Sequence, residues 1–413
     1  MLPSRIFYGW YITLACGTFM FVAVGVGYYG LGLFLGPLQT DHGWSSSAVS
    51  SATGMYFLVA GVASFAAGPY IDRYGPRTFM SVGIAMTALG VMAIGFVTSL
   101  WQLYAVYTFM ALAYGSGTAI GVNTILTKWF VHRRAKAMSI SSTGVSLGGA
   151  FLVPVGTVLL DRGGLMLATP VLGALVLIVA VPMVYLVLVP DPQAMGLKPD
   201  GDHIVVPAAN IRMGDQQRSW ARAEAARTVT FWAILIGFSL VLASQTAVII
   251  HQLKLLGQAD KLGSTGAAAA AVTVTTIGSV VARLIVGQFA DRIDKRLFTV
   301  ALFAVQAVAI LGYRMADGTV AIYLFALVFG FTIGNVYMMW SLLTGESFGM
   351  RSFGSIYGVF QLTGQLGAGV GLIAMGILVD RTGGYSTPLT IWAAADVAAA
   401  ASIYFARPVR DGR

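Results

Sequence analysis

Charge is what this sequence has least of: Asp, Glu, Lys and Arg make up only 10% of its 413 residues. A soluble globular chain carries roughly 25%. So few charges cannot cover a water-facing surface, and a soluble enzyme is excluded first. Cysteine is nearly absent as well. The single Cys16 lies in the first apolar stretch, which excludes an intramolecular disulfide framework. No run of alternating residues recurs, so a membrane β-barrel is not expected. The chain has neither a G-x-x-x-x-G-K-[ST] loop nor an H-E-x-x-H pair, and the GSTG at 263–266 lacks the lysine. No cofactor, metal or enzymatic activity is therefore expected.

What fills the chain instead is apolar. Hydrophobic residues make up 57%, fifty residues are glycine, and the mean hydropathy is +0.80. Glycine suits membrane helices because small residues let their backbones approach closely. A bilayer-spanning helix needs about 20 mostly apolar residues, and twelve such runs are legible. They cover 8–36, 46–70, 78–98, 101–127, 136–160 and 165–189, then 229–252, 266–290, 297–314, 319–345, 352–378 and 384–405. The first is too long for a signal-peptide core and reads as a retained helix.

The basic residues set the expected orientation. With both termini cytoplasmic, nineteen of the 25 Lys and Arg fall in cytoplasmic segments. Arg162, Lys254, Lys261, Arg314 and Arg381 fall outside, and Arg283 lies within a span. That asymmetry is a positive-inside signal, predicting a multi-pass protein of the inner (plasma) membrane. It also accounts for the net charge of +9. The lipid bilayer, not nucleic acid, is the expected partner, and a monomer is expected.

Residues 68–77 read GPYIDRYGPR and residues 287–296 read GQFADRIDKR. Gly68, Asp72, Arg73 and Arg77 fall on Gly287, Asp291, Arg292 and Arg296, each 219 positions later. Leu147, Gly148, Asp161 and Arg162 fall on Leu366, Gly367, Asp380 and Arg381 at the same offset. The chain thus reads as a duplicated six-helix unit: an N-terminal bundle over 1–189, a cytoplasmic linker over 190–228, and a C-terminal bundle over 229–413. Parallel repeats of this kind place a substrate site between the halves near the membrane midplane.

The repeated G-x-x-x-D-R-x-G-x-R pattern resembles the signature loop of the major facilitator superfamily. The resemblance implies an all-α membrane protein of twelve transmembrane helices in two pseudo-symmetric six-helix bundles, acting as a secondary transporter. Such a basic turn binds an aspartate and the C-terminal end of a neighbouring helix, locking one face of the bundle closed. Asp294 stands where the first copy has Gly75, which predicts a looser second turn.

Arg283 is the most informative residue. It stands eight positions before Asp291, which at 1.5 Å per residue is about 12 Å into the membrane. A guanidinium there costs at least ~2.5–3.5 kcal/mol, and no carboxylate is expected near its depth in any span. An anionic substrate fits, because the planar fork binds a carboxylate bidentately. The alternative is a structural arginine held by backbone carbonyls.

ARLIVGQFADR, with its arginine eight before the loop aspartate, resembles span eight of the oxalate–formate antiporter and monocarboxylate transporter group. In that group this arginine holds the substrate carboxylate. FYGW at 7–10, TVTFW entering span seven and FGMRSFGSIYG after span ten are similar to its bacterial branch. By the same resemblance Tyr29 and Tyr337 match cavity tyrosines, and Thr118 matches an asparagine. Departures matter too. A second cation of the oxalate–formate antiporter falls on Gly364, and the tryptophan three residues earlier falls on Gln361. A single central cation balances a single carboxylate. The aspartate that animal monocarboxylate transporters place one turn before the arginine is Ser279 here, and span one has no lysine.

Asn335 is expected on a different helix face from Tyr337, and Gln361 and Gln365 on one shared face. His251 is expected at the membrane interface near Lys254. The reading is a secondary transporter of a small monocarboxylate such as lactate or pyruvate, coupled to protons by symport. The rivals are a carboxylate exchanger, a drug or metabolite exporter, and a membrane receptor that senses the solute without moving it.

Overall fold

The computed structural model describes residues 7–201 and 220–406, except 75, 118, 131–132, 190, 259, 289–292 and 349–352. At 65, 67–74, 115–117, 119–120, 123–124, 127, 134–135, 201 and 353–355 it describes the backbone only. The described residues form helices and no strand.

Twelve long helical segments follow in chain order. In the first half they are α1 (Tyr8–His42), α2 (Ser46–Tyr74), α3 (Pro76–Ile94) and α4 (Leu100–Gly117 with Ala119–Trp129). One run, Arg134–Leu186, holds both α5 (134–162) and α6 (165–186). In the second half they are α7 (Val229–Leu256), α8 (Thr265–Val286), α9 (Lys295–Met315), α10 (Thr319–Phe348), α11 (Phe353–Thr382) and α12 (Ser386–Tyr404). Nine helical runs among the described residues are long and apolar enough to cross a membrane, with α5–α6 taken as one. α12 is not among them, and α4 is not described along its whole length.

Local chemistry sets the ends. Thr228, Ser264 and Asp294 each accept a backbone N–H from three residues on, capping α7, α8 and α9. Asp294, which replaces the glycine of the first signature turn, takes up the Leu297 amide at 2.9 Å; the turn before it, 289–292, lies outside the described residues. Between α5 and α6 no polar loop intervenes. Gly164, at φ 61°, reverses the chain where a side chain would be strained.

In the first half α1 packs on α5, α2 on α4, and α3 on α4 and α6; in the second, α7 packs on α11 and α12, α8 on α10, and α9 on α10 and α12. The halves meet along two related seams, α2 with α11 and α5 with α8, and where the end of α1 meets α7. Glycine makes the α1–α5 approach possible: a Cβ on Gly148 would stand 2.9 Å from the Gly25 Cα. Large apolar side chains such as Ile178, Leu186 and Val320 point outward.

The repeat is legible in contacts as well as letters. Arg77 donates to the Tyr185 carbonyl near the end of α6 and lies 5.3 Å from the Tyr185 ring centroid. Arg296 donates to the Tyr404 carbonyl at the end of α12 and lies 5.7 Å from the Tyr404 ring. In each half the basic turn neutralises the negative end of a helix. Gly68, Asp72 and Arg73 are described by backbone alone, as part of α2, and Asp291 and Arg292 lie outside the described residues. Gly287 follows α8 and donates to the Arg283 carbonyl.

Candidate functional site

Tyr29 owes its position to a local irregularity. At Gly25–Tyr29 the chain winds as a π-helix, one residue per turn wider than its flanks, a distortion that often marks functional sites. The turn presents Tyr28 and Tyr29 together, their rings 5.2 Å apart edge to face. Tyr29 also packs on the bare Gly149 of α5, where a Cβ would come within 2.9 Å of the ring.

Arg283 faces these phenols from α8. The helix stops at Val286, so Arg283 stands in its last turn. Its Nε donates to the Gly334 carbonyl at 3.0 Å, level with the middle of α10. Its NH1 donates to the Ser142 carbonyl of α5 at 3.0 Å, a bond that crosses between the halves. The expected alternative of carbonyl partners is thus realised in part. A guanidinium has five N–H donors; these two bonds leave three, enough for a carboxylate held end-on. Tyr29 and Tyr337 are the two phenols within electrostatic reach of the guanidinium. Tyr337 in turn interacts with Tyr28, Tyr29, Tyr114 and Tyr357. Tyr337 is nevertheless 42% exposed. That open surface lies among phenols from both halves.

The other expected site residues separate. Gln361 joins the group, donating to the Tyr357 hydroxyl at 3.2 Å. Gln365 packs against Gly61 of α2. Asn335 is fully buried and gives its amide to the Phe331 carbonyl of its own helix. Thr118 lies outside the described residues. Gly364 has a packing reason to lack a side chain: a Cβ there would stand 2.5 Å from the indole of Trp340 and 2.8 Å from Leu242. Trp340, stacked on Phe238 at 5.1 Å, fills the space a second cation would need.

The seams between the halves are polar. Along α5 and α8, Ser146 meets Ser279 at 2.6 Å and Thr273 donates to the Ala150 carbonyl at 2.9 Å. At the end of the bundle where α1 meets α2, the Asp380 carboxylate accepts from the backbone N–H groups of Ser46 and Ser47, at 3.0 and 2.6 Å. It caps the start of α2 from the other half. Lys254 donates to Gln39 beside it. His251 corrects the interfacial expectation. It is fully buried, bonded to Ser50 at 3.0 Å and Tyr385 at 2.9 Å.

Sequence reasoning also missed a carboxylate. Asp396, at the middle of α12, is 0% exposed, so the expectation that no acid lies deep within a span is corrected. Its partners are Ser244 and Gln306, not Arg283. A search of span interiors for single acids finds it from the letters alone.

Known proteins resemble this chain in sequence and in fold. A family model described as Major Facilitator Superfamily matches residues 17–372. An oxalate:formate antiporter of Oxalobacter formigenes is 24% identical over 98% of this chain and 92% of its own length. Monocarboxylate transporter 13 of Bos taurus is 25% identical over 77% of this chain and 71% of its own. The crystal structure of a mutant of the nucleoside transporter NupG superposes with a TM-score of 0.76 at 15% identity, covering 95% of this chain and 99% of that one. That last likeness shows the fold.

Proposed function

The chain belongs to the Major Facilitator Superfamily and is a multi-pass membrane transporter; on that premise we propose that it carries a small monocarboxylate such as lactate or pyruvate. The observation that carries the reading is Arg283, a guanidinium within electrostatic reach of Tyr29 and Tyr337 with donors left over after its two carbonyl bonds. The substrate carboxylate docks on those N–H groups. The phenols donate hydrogen bonds while keeping an apolar wall for a short carbon chain. One charge balances one charge, and Trp340 occupies the place where a second cation would hold a dianion. Gln361 reaches the site through Tyr357, while Asn335, fully buried and bonded within its own helix, supports α10 and does not touch substrate.

The two halves rock about this site by alternating access. The end of the bundle sealed by Asp380, Lys254 and His251 faces outside, and both termini face the cytoplasm, consistent with the placement of the basic residues. The chain works as a monomer. Transport is proton symport: a carboxylic acid that arrives protonated releases its proton where Arg283 stabilises the anion.

The test is uptake of labelled lactate into proteoliposomes under an inward proton gradient. Saturable uptake stimulated by the gradient and lost in Arg283→Ala is expected. Undiminished uptake by Arg283→Ala overturns the anchor role. Uptake indifferent to the gradient points to exchange, and ligand-induced thermal stabilisation without accumulation points to a sensor.

A further inference from the structure

Asp396 has no part in the site just described, and its surroundings are unlike those of any other acid in the described residues. It is wholly buried. Ten residues into the 19-residue α12, it lies about 15 Å along the helix, at the depth where lipid is driest. Ser244 of α7 and Gln306 of α9 sit at the middle of their own helices. The charged and imidazole side chains of the helices packed on α12 all lie away from it: His251 and Lys254 on α7, Lys295, Arg296 and Arg314 on α9, Asp380 and Arg381 on α11. Among the described residues no cation touches the carboxyl.

The hydrogens in this cluster can be counted. Gln245 donates to the Gln306 Oε1 at 3.0 Å, which turns the Gln306 amide nitrogen toward the acid. That nitrogen has two hydrogens and its nearest acceptors are Asp396 Oδ2 at 3.0 Å and Ser244 Oγ at 3.1 Å, with the Val241 carbonyl farther off at 3.5 Å. Ser244 has one hydrogen and two acceptors in reach, the Val241 carbonyl at 3.0 Å and Asp396 Oδ1. If Asp396 carries a proton, every group is served: the carboxyl O–H donates to Ser244 Oγ and Ser244 donates to Val241. If Asp396 is ionised, Ser244 must abandon Val241, and a bare anion rests on two neutral donors. An uncompensated buried charge is costly, and here that cost falls on the ionised state. Amide hydrogens aimed at the acid also exclude a metal cation, which needs oxygens there.

The repeat says that the fold does not require this arrangement. The Arg77–Tyr185 and Arg296–Tyr404 contacts fix the offset across the α3–α6 and α9–α12 pairs. At that offset Gln306 falls on Thr87 and Asp396 on Leu177. Thr87 bonds only within its own helix, to Gly83 at 2.9 Å, and Leu177 packs as an apolar residue. The first half closes the same helix pair without an acid.

We propose that Asp396 is a proton-binding site of the protein itself, protonated in the conformation described, with Ser244 as the hydroxyl switch that accommodates its release. On release the carboxyl O–H bond breaks, the proton leaves, and the Ser244 hydrogen turns from the Val241 carbonyl to Asp396 Oδ1. Its use in coupling transport rests on the transporter reading above; the proton site itself does not.

Two measurements separate these statements. Infrared spectra of the full chain in lipid at pH 7 are expected to hold a protonated-carboxyl carbonyl band that shifts on 13C-aspartate labelling and is missing in Asp396→Asn. A wild-type spectrum without an aspartate-shifted band overturns the site whether or not the variant folds. A band that persists in Asp396→Asn overturns it equally. In proteoliposomes, lactate counterflow by the wild type tests the transporter reading independently, and its absence removes that reading while the infrared result stands. With counterflow present, Asp396→Asn is expected to retain it yet lose at least roughly tenfold in proton-driven accumulation, within the usual span of coupling between two ligands. Accumulation equal to the wild type overturns the coupling role.

Discussion

Arg77 in the first half and Arg296 in the second perform one task 219 residues apart, each binding the last carbonyls of a helix and lying over a tyrosine ring. The helix interiors are not alike. Among the described residues, the Arg283 guanidinium that bridges the halves, the fully buried His251 and the fully buried Asp396 all belong to the second half. The position matching Arg283 is Ser64, and that matching Asp396 is Leu177. The first half supplies hydroxyls and carbonyls in return: Tyr29, the Ser142 carbonyl and Ser50. The two halves share a frame of matched helix-end contacts and differ in which of them holds the interior ionisable groups.

The comparison can be broken most severely at Arg283. Arg283→Ala is expected to lower carboxylate uptake at least roughly a hundredfold, since a charge-assisted, bidentate contact is worth about 3 kcal/mol or more; initial rates at low substrate measure it. The reciprocal change, Ser64→Arg, is not expected to restore transport, because the positions matching Tyr29 and Tyr337 are Val248 and Thr118, which supply no phenol. Recovery in the double variant would mean that the halves are interchangeable.

A smaller effect is expected where the halves are latched. Asp380→Ala removes the carboxylate that caps α2 across the seam, and losing such charge-assisted bonds is worth about 1.5–3 kcal/mol. A cysteine placed at Ser50, buried beside His251, in a Cys16→Ser background, is then expected to react with a polar thiol reagent roughly tenfold faster. An unchanged rate would mean that Asp380 does not hold this end shut.

The matched contacts sharpen the comparison. Arg77→Ala and Arg296→Ala are each expected to cost about 0.5–2 kcal/mol, as a charge and a ring contact at a helix end allow. Being in separate halves they should add within about 0.5 kcal/mol, read from thermal melting in detergent. The smallest change is Asp294→Ala, which removes a cap worth about 1 kcal/mol and should affect stability without altering substrate affinity.

Much of this was open to reading in the letters. Helix positions follow from apolar runs, and the duplication from one offset seen twice. Arg283 stands out because a lone cation in lipid needs a partner. Asp396 is a lone charge of the same kind, yet the alanines before and after it keep the run apolar to the eye. The rest depends on distance along the chain. His251 meets Ser50 across 201 positions and Tyr385 across 134, so nothing near it announces a buried bridge. Nor does the sequence around Tyr29 declare a π-turn, which is set by how closely Gly25 meets Gly148.

Burial of Asp396 has a consequence for how the protein is made. A helix with an acid at its centre resists entering lipid alone, by about 2.5–3.5 kcal/mol on insertion scales, and α12 falls short of the apolarity that its neighbours reach. Its two hydrogen-bonding partners, α7 and α9, leave the ribosome first. Membrane insertion of α12 is therefore a docking event, completed against a polar seat its predecessors have already laid down, and a defect in Ser244 or Gln306 should be felt during biogenesis before it is felt in transport.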